Sequence, residues 1–361
     1  MIISGIQQIG IGVKDVKEAW RWYRDHFGME IRMFEEEATA NYMKPYTGGK
    51  PRARYAALAL NMMGGGGFEI WQYTERTPEA PSFEVKAGDL GIFAAKLKSP
   101  DIRRAYAYFR KMGITLNGVS KDPAGRESFF VKDPYGNIFQ VIESDSFFMP
   151  RKKYVTGAAY GTIIGTTQMD RAISFYSDIL GYTEVKYDKE EKFDDFSSLP
   201  GGGDTFRRVL LRHKREARKG HFSRLFGPTE IELIETRDRQ PTPIFKDRYW
   251  GDLGFIHLCY DITGMDQLQA HCNEKGYPFT VDSQKAQEGK SFDMGEAAGH
   301  FAYIEDPDGT LVEFVETHKI PISKRLGWYL DLSKRKDIEK PVANWVLKML
   351  RFMKVKEKHL A

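Results

Sequence analysis

The feature that most constrains this chain is a pattern that occurs four times along its 361 residues: a strand, an amphipathic helix, a glycine and a second strand. Clear copies begin at Gln8 and Gly161, and weaker copies begin at Ala94 and His257. A glycine follows each helix in matching register, at Gly28, Gly113, Gly181 and Gly276. Supersecondary units that repeat in this way predict a fold built from four similar modules.

Local signals support each module. Asp15 followed by Glu18 is typical of a capping box, and Gly28 permits the left-handed conformation that ends a helix. The turns DPYGN and DPDGT suit a tight reversal, because Pro presets φ and Gly accepts a positive φ. Each module closes on a strand with a leading Glu or Gln: EIWQ at 69–72, QVIE at 140–143, ELIE at 232–235 and EFVE at 313–316.

Four units of this kind resemble the vicinal oxygen chelate superfamily, which includes glyoxalase I, extradiol dioxygenases and bleomycin resistance proteins. The resemblance covers about residues 5–317. It implies an α+β fold in which four βαβββ modules pair into two open, cupped β-sheet barrels. We expect an N-terminal cup over 1–148 from the first two modules, a C-terminal cup over 155–317 from the last two, and a helical tail over 318–361.

In this family the first and last strands of paired modules hold a metal, so the resemblance implies a ligand set for each cup. The N-terminal cup offers Gln8, Glu69, Ala94 and Gln140. Because Ala94 has no donor atom and amides are poor anionic ligands, we expect a degenerate site there. The C-terminal cup offers Gly161, Glu232, His257 and Glu313. The resemblance thus implies one divalent ion (Fe, Mn, Zn, Ni or Mg) held by Glu232, His257 and Glu313, with alternate strand residues turning toward one face.

Such a centre would act on a small substrate with vicinal oxygens as an isomerase, epimerase or lyase, with Glu232 as a base and the ion as a Lewis acid. An alternative is an extradiol dioxygenase. Gly161 removes one arm of its two-histidine, one-carboxylate triad, so His300 or His221 would have to substitute. A metal-free binding or resistance protein is a third possibility. His300 is also a candidate catalytic residue beside the site.

Two insertions near the C-terminal cup carry further candidates. The basic segment 211–230 contains His221 and Arg224, and it is either a lid that supplies Arg to an anionic substrate or a solvated connection. The segment 284–300 contains Asp293, which would line the rim. We take His221, Arg224 and Asp293 as candidate substrate-binding residues.

The tail is the most basic part of the chain, with twelve Lys or Arg against four Asp or Glu from His318 onward. From Pro341 the spacing predicts an amphipathic helix with Val342, Trp345 and Met353 on its apolar face. Such a helix binds an anionic membrane surface, or it docks on the cups or on a dimer mate, which we favour. No nucleic-acid reading motif accompanies the charge, so nucleic acid is not an expected partner.

Composition restricts the setting. Charged residues make up 29% of the chain and its mean hydropathy is −0.49, which excludes membrane-protein and disordered classes. The first residues lack the pattern of a signal peptide. Two cysteines, Cys259 and Cys272, form no disulfide framework, so we expect a cytoplasmic setting. A cup that is complete within one chain allows a monomer, the tail allows a homodimer, and the resemblance implies a small-molecule substrate.

Overall fold

The computed structural model describes residues 1–214, 219–284, 292–293, 298–323 and 328–360. The first module comprises β1 (Ile2–Gly12), α1 (Val16–Phe27), β2 (Ile31–Thr39), β3 (Ala53–Leu60) and β4 (Gly67–Tyr73). The second comprises β5 (Gly91–Ser99), α2 (Ile102–Lys111), β6 (Ser120–Lys121), β7 (Glu127–Lys132) and β8 (Ile138–Glu143).

The other two modules follow the same order. The third comprises β9 (Ala159–Gly165), α3 (Met169–Asp178), β10 (Glu184–Glu191), β11 (Phe206–Arg212), α4 (Ser223–Phe226) and β12 (Glu230–Thr236). The fourth comprises β13 (Gly254–Thr263), α5 (Met265–Glu274), β14 (Val281–Asp282), β15 (Phe292–Asp293), β16 (Ala298–Glu305) and β17 (Leu311–Ser323). The α+β fold of four modules in two sheets is confirmed.

The helix boundaries follow from local chemistry. Asp15 is the N-cap of α1, and its side chain accepts a hydrogen bond of 2.9 Å from the amide of Glu18. Gly28 ends the helix in the left-handed conformation, with φ of 67°. The residues chosen from the repeat therefore start and stop the first helix as predicted.

The sheets pair the modules differently from our expectation. In the first sheet the order is β14-β16-β17-β13-β1-β4-β3-β2, which joins the first module to the fourth. In the second sheet the order is β10-β11-β12-β9-β5-β8-β7-β6, which joins the second module to the third. The first cup is thus made from the first and the last of the four modules. The predicted pairing of the first module with the second, and of the third with the fourth, is wrong.

Consecutive modules contact each other through their helices and turns. The hydroxyl of Tyr23 on α1 donates a 2.7 Å hydrogen bond to Asp133, in the turn before β8. Tyr176 on α3 makes the equivalent 3.1 Å bond to Asp306, in the turn before β17. All four side chains are buried, and they lie in or beside the main apolar core between the two sheets. The first and second modules, and likewise the third and fourth, therefore contact each other through a helix and a turn, whereas their first strands pair with other modules.

The tail docks on the first cup. It contains β18 (Trp328–Asp331), which pairs with β17, and α6 (Asn344–Met349). Val342 and Leu347 are buried in a cluster with residues of β2, β3 and α4. Trp345 was predicted on the apolar face, but it is 60% exposed because the helix begins only at Asn344 and turns its buried side toward Leu347. Among the described residues, no helix is long and apolar enough to cross a membrane.

Candidate metal centre

Four polar side chains meet at the centre of the first cup, one from each of four adjacent strands. Gln8 lies on β1, Glu69 on β4, His257 on β13 and Glu313 on β17. The strands are held in register by the parallel pairs of Gly10 with Glu69 and of Cys259 with Glu313, and by the antiparallel pair of Gly10 with His257. Each side chain comes from the first or last strand of its module.

The donor atoms are close enough to share one ion. His257 Nε2 lies 3.2 Å from Oε2 of Glu69 and 3.2 Å from Oε2 of Glu313. Gln8 Nε2 lies 3.2 Å from the same oxygen of Glu69 and 3.3 Å from that of Glu313. In octahedral coordination with bonds of about 2.1–2.3 Å, neighbouring ligand atoms are separated by about 3.0–3.2 Å. The spacing therefore fits a divalent cation.

Burial makes this arrangement costly without a cation. The His257 side chain is 0% exposed, and those of Glu69 and Glu313 are 12% and 9% exposed. Both ring nitrogens of His257 and Oε1 of Gln8 are buried without a hydrogen-bond partner within the described residues. Buried polar atoms are normally satisfied. A cation at this point would satisfy Nε2 of His257 and both carboxylates, and a rotation of the Gln8 amide would present Oε1 as a fourth ligand.

The electrostatics favour the same conclusion. Burial alone would lower the pKa of His257, but the negative charges of Glu313 and Glu69 raise it overall. Burial raises the pKa of Glu313, and the carboxylate of Glu69 raises it further. Burial and the charge of Glu313 raise the pKa of Tyr303 well above its usual value. Two facing carboxylates in a buried cup repel each other, and a divalent ion would remove that repulsion.

Glu232 does not belong to this group. It lies on β12 in the second sheet, whereas His257 and Glu313 lie in the first. The predicted set of Glu232, His257 and Glu313 is therefore wrong, because it assumed that the third and fourth modules share a cup. Applied to the observed pairing, the same first-and-last-strand rule yields Gln8 and Glu69 as the other two donors. These two residues were assigned to a degenerate site.

The matching position of the second cup contains a cation from the chain itself. Lys96 Nζ lies 2.9 Å from Glu230 and 2.6 Å from Glu232, and all three side chains are 0% exposed. Arg208 donates a 2.7 Å hydrogen bond from Nε to Glu232 and pairs at 2.7 Å with Asp195. Although burial alone would raise the pKa of Glu232, Arg208 and Lys96 lower it to about 2. A carboxylate held in this network is neither a free base nor an open metal ligand.

The remaining candidates lie away from the four donors. His300 pairs with Asp282 at 2.8 Å, so the predicted catalytic or substitute-ligand role is not supported. Burial lowers the pKa of His221 to about 4, and its backbone carbonyl accepts a hydrogen bond from the tail. Arg224 is exposed and contacts Asn344 of the tail. Asp293 lies in β15, and its side chain is outside the described residues.

The second cup also holds Gln140, the last residue assigned to the degenerate site. Its amide donates a 3.3 Å hydrogen bond to Ser128 on the neighbouring strand β7. Gln140 is fully buried and belongs to the second sheet, whereas Gln8 and Glu69 belong to the first. The prediction grouped the three residues because it paired the first module with the second.

Gly10 is a site residue that the sequence analysis missed. A Cβ at this position would lie 2.5 Å from Cε1 of His257 and 2.7 Å from both ring nitrogens. Only glycine lets β1 pass this close to the imidazole. The signal in the sequence was a glycine between Ile9 and Ile11, two residues after Gln8.

A cavity of about 350 Å³ opens onto the four-residue centre. Gln8, Glu69 and Glu313 lie in its wall, together with Trp71 and Tyr303. Its volume falls in the range of small-molecule sites. The polar cluster is therefore accessible from a cavity with space for a ligand.

Comparisons with known proteins agree with this architecture. The model of the glyoxalase/bleomycin resistance protein/dioxygenase superfamily matches residues 5–141 and 159–314. Glyoxalase I from Zea mays has 13% identity and a TM-score of 0.52, over 86% of this chain and 92% of that chain. A putative dioxygenase from Bacillus subtilis subsp. subtilis str. 168 has 15% identity and a TM-score of 0.54, over 87% of this chain and 86% of that chain.

At these identities the structural likeness shows a shared fold alone. A sequence search of the curated proteins found no match. The family model, in contrast, covers most of both halves of the chain, and the predicted resemblance is confirmed. The chain belongs to the glyoxalase/bleomycin resistance protein/dioxygenase superfamily.

Proposed function

We propose that this protein is a metal-dependent, glyoxalase-like isomerase, epimerase or lyase that acts on a small substrate with vicinal oxygens. The observation that carries the proposal is the convergence of His257 Nε2 with the carboxylates of Glu69 and Glu313 and the amide of Gln8. Within the described part of the chain, Glu69, His257 and Glu313 form the one group that brings three metal-ligand atoms within 4.8 Å of one another. Two carboxylates, an imidazole and an amide oxygen suit Zn²⁺, Mn²⁺, Fe²⁺ or Ni²⁺.

A bound ion would act as a Lewis acid on the substrate oxygens and stabilise an enolate. The protein's own groups complete the chemistry. Glu313 lines the cavity, so its carboxylate is placed to accept a proton from a substrate carbon. Trp250 and Tyr303 pack beside the His257 ring, with ring centroids 6.0 Å and 5.6 Å away, and both line the cavity together with Trp71. The proton can then be returned to the same or the adjacent carbon.

The donor set favours this chemistry over ring-cleaving dioxygenation. Iron dioxygenases use two histidines and one carboxylate, and the group observed here has one histidine with two carboxylates. The proposed substitutes do not change this, because His300 is paired with Asp282. If the purified protein holds no ion at the four donors, the alternative of a metal-free binding protein is favoured instead.

The direct test is the metal content of protein purified without chelator, measured by element analysis. We expect about one ion per chain in the parent, and its loss in His257→Ala and Glu313→Ala. Gln140→Ala is the matched control, because Gln140 is a buried residue at the corresponding place in the second cup. It should retain the ion.

Unchanged metal content in both ligand variants would refute the proposal. If both ligand variants lose the ion, the substrate is sought by screening hydroxy- and keto-carbonyl compounds with the metal-loaded protein. The cytoplasmic location and the monomeric or homodimeric state remain part of this proposal and are checked by fractionation and by light scattering.

A further inference from the structure

The far wall of the cavity is built by the tail, which lies beyond the family match that ends at residue 314. Six apolar side chains of this segment line the cavity: Val346, Leu347, Met349, Leu350, Phe352 and Met353. The same cavity reaches Glu69 and Glu313 at its other end. A ligand bound at the polar centre therefore extends toward the tail.

The tail is fixed in this position by backbone contacts to the first module. The amide of Arg32 donates a 3.0 Å hydrogen bond to the carbonyl of Met353, and the amide of Val355 donates a 2.9 Å bond to the carbonyl of Glu30. Lys354 also pairs with Glu30 at 2.6 Å. Because β2 is the edge strand of the sheet, the tail covers its open edge and forms a built wall of the cavity.

The charge of the lining restricts what the cavity accepts. Among the described residues in the wall, Arg54 is the sole Lys or Arg. Its guanidinium is already paired with Glu36 at 2.5 Å, and it donates a second hydrogen bond to the Glu36 carbonyl. Glu69 and Glu313 add negative charge at the other end. Away from the metal centre, an anionic group on the body of a ligand would have no free positive partner in the wall, and burying it would be costly.

The basic segment before β12 does not supply that partner. It contributes Phe222, Leu225 and Phe226 to the cavity, whereas Arg224 is exposed and directed to Asn344. Its predicted function as a lid that offers Arg to an anionic substrate is therefore not supported in the described residues. The segment extends the apolar wall instead.

We infer that the substrate is an uncharged molecule with an oxygen-bearing head at the metal centre and a ring or chain of apolar atoms beneath the tail. The inference rests on the proposed function for the head and on the cavity wall for the body. An apolar body of one or two rings gains affinity by leaving water, and its neutral character avoids an unpaired charge.

The test uses hydroxamic acids on the full chain loaded with Mn²⁺, with binding measured by calorimetry. These probes are neutral in solution and chelate an ion through two oxygens, releasing one proton to the buffer. We expect affinity to rise at least about tenfold from acetohydroxamate to 2-naphthohydroxamate, because the rings bury apolar surface. Adding a para carboxylate to benzohydroxamate should weaken binding at least about tenfold. Equal affinities within the series, or equal affinity of the carboxylate probe, would overturn the inference while leaving the metal centre intact.

A metal-independent probe separates the two proposals. We expect neutral 2-acetonaphthone to bind the metal-free protein and 2-naphthoate not to bind it. This result supports the apolar cavity even if no hydroxamate binds. Failure of the hydroxamates alone would then count against the proposed function and not against the cavity. Absence of 2-acetonaphthone binding overturns the inference.

A pair of tail variants then locates the binding site. Leu350→Asp places a charge in the wall and should weaken 2-naphthohydroxamate at least about tenfold, leaving acetohydroxamate unchanged. Trp345→Asp is the control, because Trp345 is 60% exposed and outside the lining. Equal effects of the two variants would contradict a wall formed by the tail.

Discussion

Replacing Gly10 with alanine is expected to weaken metal binding while the protein stays folded. The new Cβ would lie 2.5 Å from Cε1 of His257, and ordinary contact begins at 3.4 Å, so the ring has to move by about 0.9 Å. Metal–ligand bonds tolerate deviations of about 0.2 Å. Loss of one well-placed imidazole should reduce affinity by about 10–100-fold, which corresponds to about 1.4–2.7 kcal/mol.

The assay is competition with a chelator of known affinity, with circular dichroism to confirm the fold. Gly118→Ala is the matched control, because a Cβ at Gly118 meets nothing within 4 Å. A folded Gly10→Ala protein that binds metal as tightly as the Gly118→Ala protein would refute the argument that this glycine positions His257.

Two further predictions concern stability. Lys96→Met should lower the free energy of unfolding in urea by about 3–5 kcal/mol, because it leaves two buried carboxylates without their ammonium partner. The control Lys189→Met, at an exposed lysine, should change the free energy of unfolding by at most about 0.5 kcal/mol. Equal effects of the two variants would contradict a structural role for the buried lysine. Burial lowers the pKa of His213 from 6.5 to about 4, so the unfolded chain binds the extra proton in this range and stability falls as the pH decreases from 6.5 to 4. His213→Phe, which keeps a ring against Tyr182, should flatten the slope of unfolding free energy against pH by up to about 1.4 kcal/mol per pH unit. An unchanged slope would show that the pKa of His213 is the same in the folded and unfolded states.

The repeat was sufficient to predict the modules and most of the donors. Gln8, Glu69, His257 and Glu313 were all identified as first- or last-strand positions, because alternation along a strand and the position in the repeat are local properties. The grouping failed because each module opens on the same kind of strand. Nothing local to β1 distinguishes β5 from β13 as its partner.

One residue carried a signal about its partner. Lys96 lies within a strand whose other residues are buried, and it is fully buried beside Glu232. A lysine in such a strand needs an anionic partner. The sequence offered Glu69 in the first module as well as Glu232 in the third, so this signal predicts a carboxylate partner for Lys96 without identifying its module.

The pairing of the outer modules also determines when the centre can form. Gln8 and Glu313 are 305 positions apart in sequence, yet their side chains are 3.3 Å apart. During synthesis β1 leaves the ribosome without its neighbour β13, and the last donor arrives only after β17 has been made. The inner modules can join each other earlier. The first cup is therefore completed only after the fourth module has been synthesised, and a chain that stops before that module has two of the four donors.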